Sequence, residues 1–261
     1  MTVKSVQTLG VAYLGFDFRV NDSYGFQDFK NPTSDVRVRK AMYHAIDIDA
    51  LIDHVSNRSV LVPVSQFVTH STFGYNPGIQ RVPYDKEYAM QLLRDAGYSD
   101  GFVIELDCLD SNRSIDICSN LKDQLAEVNI TVNVNPLPDS EYYSKLYFKN
   151  TSFYLTAFTP LNAERTIELF LYTSDMQENM GIWNYGNYSN PEVDKLYDIL
   201  SYTLDPESRK ALIHDVFSIA IEDVAWIPLY SGNAFYGVRA TIEWSPRPAL
   251  YVLFNDMSFS D

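Results

Sequence analysis

Cysteine is scarce in this 261-residue chain: Cys108 and Cys118 are its only two. That excludes a disulfide-stapled scaffold and a four-thiolate zinc site. One cysteine falls near a strand end and the other in the following helix, which permits a bridge and leaves the redox state open. Histidine is nearly as sparse, and His44, His54, His70 and His214 show no ligand spacing, so no metal cage is supported and no metal or cofactor is expected. Positive charge is in deficit, 20 Lys and Arg against 34 Asp and Glu, and no basic stripe offsets a net charge of −14. Nucleic acid is thereby excluded as a partner, as is a membrane surface. Apolar runs long enough to span a bilayer are missing. The opening MTVKSVQTLG lacks a charged segment followed by an apolar one, so the expectation is a cytoplasmic chain or one whose start has been removed. Catalytic signatures are absent too: no Gly-x-Ser-x-Gly elbow, no phosphate-cradling glycine loop, no His-Glu-x-x-His. The reading is therefore not an enzyme; an acidic protein can still assemble a carboxylate pair in space, which keeps a hydrolase as a lesser alternative beside a stand-alone interaction domain.

Aromatic residues are abundant, with 19 Tyr, 15 Phe and 3 Trp. Tyr suits surfaces that must be both apolar and hydrogen-bonding, such as a binding cleft, and it also fills cores. With 46% apolar and 21% charged residues the chain is globular and has a sizeable core. Sequons begin at Asn21, Asn57, Asn112, Asn129, Asn150 and Asn187; they suit an extracellular chain or arise by chance in an Asn-rich one.

Partial alternation predicts a strand over 9–18. The stretch from Ser34 through SDVRVRKAMYHAIDIDALIDHV predicts one long helix, and Asp85 caps another that Gly97 closes. Strands over 102–109 and 130–137 enclose a helix over 115–127, a βαβ unit. A helix in SEYYSKLYF and a strand over 152–158 repeat the pattern, which predicts an α/β fold with a mainly parallel central sheet flanked by helices. Asn190-Pro191 and Asp205-Pro206 open two helices in series. Strands over 226–230 and 234–240 follow, then a last apolar segment, ALYVLF.

The ordered series SDVRVRKAMYHAIDIDALID, FGYNP, YDKEYAMQLLRDAGYSDGF, LKDQLAEVNITVNV, WNYGNYSNPEVDKL and LDPESRKALIHDVFSIAIEDVAWIPLY resembles the extracellular solute-binding proteins of ABC importers. The similarity is to the peptide and nickel type, family 5. The resemblance implies a type II periplasmic-binding-protein lobe, closing by a hinge on a peptide or similar solute. It further implies delivery to an ABC permease and an extracellular or periplasmic location, with membrane attachment only through a tether outside this chain. On that resemblance residues 1–245 form the second lobe with a hinge strand, and 246–261 form a strand crossing back toward a first lobe.

The resemblance directs attention to three segments at one end of the sheet. Phe73 and Tyr75 lie in the TFGYNP loop; Phe158, Asn162, Glu164 and Arg165 lie in or beside FTPLNAERT; Trp183 and Tyr185 lie in GIWNYGNY. Where peptide-binding members carry Gly-Trp and an amine-pairing Asp, this chain has Thr156 and Ala157, and the Asp position falls near Pro160. A buried ammonium without an acidic partner is costly. Glu164 for a cation, or Arg165 as a bidentate clamp for a carboxylate, is the substitute charge, unless both are a solvated first helical turn. Trp183 and Tyr185 are either a stacking wall or core, and Tyr230 is either a cleft residue or core.

Overall fold

Short polar residues ahead of apolar periodicity set the helix starts, because the N–H groups of a first turn need acceptors. The computed structural model describes residues 1–21, 25, 30–56, 59–160 and 162–259; the Asn57 sequon begins outside them. Asp35 accepts from Arg37 N to open α1 (Val36–His44), Asp47 from Ala50 N to open α2 (Ile48–Val55), and Asp85 from Tyr88 N to open α3 (Lys86–Asp95). Ser111 opens α4 (Asn112–Ala126), and α5 (Asp139–Tyr147) follows Pro138. Asn162 opens the short α6 (Ala163–Thr166), which continues into a π-helical turn at Ile167–Leu171. Asn190 and Asp205 open α7 (Pro191–Tyr202) and α8 (Pro206–Glu222), each with proline at its first position. The long helix expected from Ser34 is thus two: Ala45 ends α1, and the Asp47 cap gives α2 its own start.

The strands are β1 (Thr2–Gln7), β2 (Val11–Phe16), β3 (Leu61–Pro63), β4 (Phe102–Leu109), β5 (Ile130–Leu137), β6 (Phe153–Phe158), β7 (Trp226–Val238), β8 (Ile242–Glu243) and β9 (Ser258–Phe259). The sheet, expected to be mainly parallel, is mixed, its parallel pairing being β4 with β5 and β4 with β6. β2 is inserted antiparallel between β6 and β7, while β1 and β3 pair antiparallel with β7. The right-handed crossover rule governs strands joined through helices; β1, β2 and β7 come from the two ends of the chain and escape it. The stretches expected as separate strands over 226–230 and 234–240 are one strand. Its first half pairs with β2 and its second with β1, which lie end to end along it around Thr8, whose N–H donates to Gly232 O at 2.8 Å. The segment ALYVLF is not a strand; β8 pairs instead with β9.

Side chains alternate across the sheet with the period of two that pleating imposes. Leu14, Phe16, Phe153, Leu155, Ile227 and Leu229 join α1–α4 in one buried cluster. Tyr13, Tyr154 and Trp226 join α5–α8 in the other. Trp226 centres that second core, stacked on Tyr13 at 4.2 Å and edge-on to Phe67 at 4.7 Å. Gly15 is required by Tyr154, whose ring would lie 2.1 Å from an added Cβ. Cys108 and Cys118 are free thiols buried in the first cluster. Cys118 donates to Cys108, and this contact, with burial, holds the Cys118 thiol well above its ordinary range.

Candidate functional site

β7 runs antiparallel to β2, as β6 does, so β7 leaves the sheet at the end where β4 and β6 finish. Beyond that end β7 and β1 continue as a two-stranded ribbon. In α/β sheets ligands bind beyond the carboxyl ends of the parallel strands, and three hollows open there.

The first, of about 170 Å³, is an aromatic slot lined by Phe158, Arg165, Phe170 and Trp183 with Thr159 and Leu169. Phe170 lies 4.5 Å from Phe158 and 5.3 Å from Trp183, ring to ring, and Trp183 is 43% exposed. Three residues expected from sequence therefore meet here. Asn162 and Glu164 do not join them. Asn162 accepts from Arg165 N at 2.7 Å and so fixes where α6 begins. The Glu164 carboxylate is held by Arg209 of α8, which also donates to Leu200 O, so Glu164 ties α6 to the α7–α8 pair.

The second hollow, of about 140 Å³, lies on the opposite face of β6 and is lined by Ala12, Leu109, Arg113, Tyr143, Ala157 and Tyr230 among others. Burial pushes the Tyr230 phenol up to about 12, so it stays a protonated donor at neutral pH. Tyr230 had been singled out from sequence; Arg113 and Tyr143 had not. The signal for Arg113 was its place just after the β4–α4 turn, at the strand end where such sheets bind ligands.

The third, of about 320 Å³, lies between β3 and the segment reaching Arg81, with Gln7, Thr69, His70 and Tyr75 in its wall. Arg81 donates to Val64 O at 3.2 Å and to Pro228 O, and burial lowers its pKa. The Tyr75 carbonyl lies 3.1 Å from His214 Nε2. Phe73, half-exposed on the turn before it, and Tyr185, packed edge-on to Tyr154 at 6.3 Å, line none of the three hollows. Among the described residues no helix is long and apolar enough to cross a membrane.

This chain belongs to the bacterial extracellular solute-binding proteins, family 5 Middle, whose pattern its residues 1–177 match. The dipeptide-binding protein of Escherichia coli (strain K12) is 38% identical over 84 residues, covering 32% of this chain and 15% of that protein. Heme-binding protein A of Haemophilus influenzae is 25% identical over 255 residues, 94% of this chain and 42% of that protein. Among solved structures, HbpA2 from Haemophilus parasuis superposes with a TM-score of 0.86 at 18% identity, over 99% of this chain and 50% of that one. The periplasmic murein tripeptide binding protein MppA gives 0.82 at 19% identity, over 98% and 49%. The fold is that of the type II periplasmic binding proteins, and the chain spans about half the length of these structures and less than half of the curated relatives it matches.

Proposed function

We propose that this chain captures a small solute, a peptide or a compound of similar size, as part of the substrate-binding component of an ABC importer, and that capture involves no chemistry. One observation carries the reading: three hollows with aromatic and guanidinium walls open at the sheet end from which the β1–β7 ribbon leaves. A ribbon leaving beside binding hollows is where a hinge must act if ligand contacts are to favour a closed form. The proposed setting is extracytoplasmic, consistent with the family's extracellular character, with a permease as partner and a tether outside this chain. Relatives support a small-solute cargo without narrowing it: one solved neighbour is a complex with the peptide STSA and another with agropinic acid.

Native mass spectrometry of the protein from its own cells, followed by a thermal-shift screen of peptides and organic acids, tests the proposal. A retained small species, or a melting temperature that rises with ligand by mass action, is the expected result. Consumption of the compound would overturn the binder reading in favour of an enzyme. Neither retention nor shift would favour an interaction domain.

A further inference from the structure

We propose that the solute presents an anionic group, a carboxylate or its equivalent, to this chain rather than a free ammonium. The inference rests on the binder reading and specifies its substrate class. Acidic residues outnumber basic ones by 34 to 20. Yet the ionisable groups lining the three hollows are Arg165 in the first, Arg113 with two tyrosines in the second, and Arg81 with His70 and Tyr75 in the third. None of the three is lined by an aspartate or glutamate.

The two nearest acidic side chains of the aromatic slot are already engaged. Arg209 holds Glu164, and Glu168 accepts from Arg165 Nη1 and from Tyr197 Oη at 2.9 Å. Arg165 keeps its Nε and Nη2 donors without a hydrogen bond among the described residues. Arg113 is freer: it has neither a hydrogen bond nor an ion pair among them, and it sits in the first turn of α4. A cation there opposes the helix dipole, and that turn holds no acidic residue to offset it. Arg113 is exposed at the rim of the hollow, where its guanidinium would face an anion docked beside the neutral Tyr230 phenol. An ammonium at either place would meet a cation and find no carboxylate in the lining. The apolar rings of the slot would carry the solute's hydrocarbon portion.

The test is isothermal titration of the 261-residue chain, at constant ionic strength, with a series of α,ω-dicarboxylates, with diamines of equal length and with zwitterionic dipeptides. Dicarboxylates are expected to bind, and Arg113→Gln or Arg165→Gln is expected to weaken that binding at least tenfold, as loss of a charge-assisted contact implies. Circular dichroism and the melting temperature of each variant confirm that it folds. Diamines or dipeptides binding as well as the dicarboxylates would overturn the anion assignment while leaving the binder reading intact. Dicarboxylate binding unchanged in both variants would overturn the two arginines as its site. Dicarboxylates failing to bind would also overturn the proposal, and if native mass spectrometry nonetheless finds a retained solute, the binder reading survives.

Discussion

Glu164 and Arg165 are neighbours in sequence with opposite tasks. The first is spent on Arg209 inside the fold, while the second lines the aromatic slot. Glu164→Gln is expected to cost about 1 kcal/mol of stability, the scale of a partly exposed ion pair, and to leave solute affinity unchanged; denaturant melts and titration read the two effects separately. The sequence could name both residues as charges near one loop but could not divide the tasks, because Arg209 lies 45 positions away. Tyrosines give the pH dependence at this scale. Burial drives the phenols of Tyr13 and Tyr154 well above the ordinary value and that of Tyr230 to about 12. In the unfolded chain they ionise near pH 10, so the folded state's advantage is fully present below about pH 10. It is lost as pH rises through 12. Tyrosinate absorbance is expected to grow in two phases, the later one coincident with loss of near-ultraviolet circular dichroism.

Helix α4 shows an element doing two jobs with one end. Its cap, Ser111, accepts from Ser114 N at 3.3 Å, and the same turn supplies Arg113 and Ser114 to the second hollow. Ser111→Ala is expected to cost about 1 kcal/mol and, unlike a change elsewhere on the helix, to weaken solute binding as well, measurable by melting and titration in parallel. Elements with local signals were legible in the sequence: the caps at Asp85, Asn190 and Asp205 and the β4–α4–β5 unit stand where the residues predicted them. Elements whose partners lie far away were not. β1 has no strong alternation of its own and is a strand because β7 pairs with it. The break between α1 and α2 depends on one carboxylate turning back to a backbone N–H.

At the scale of the molecule the surface is uneven. The ribbon and the C-terminal segment expose Val3, Phe235, Tyr251, Leu253, Phe254 and Phe259, an apolar concentration that monomeric soluble proteins rarely leave uncovered. Concentration-dependent self-association is expected by sedimentation velocity. It should be reduced in a Phe254→Ser, Phe259→Ser double variant without a change in melting temperature at high dilution. The pairing of β2 with β7 also has a bearing on how the chain comes to exist. β2 spans residues 11–16 and its neighbour β7 begins at 226, so the middle of the sheet is closed by two strands far apart in the sequence. At about 5–20 residues per second the first waits roughly 10–40 s for the second. Until β7 is made, β2 can pair with β6 on one side only, so the sheet stays open along the other edge of β2. The emerging polypeptide is thus kept from premature closure by its own topology, the condition a chain needs if it is to be threaded through a translocation channel before it folds.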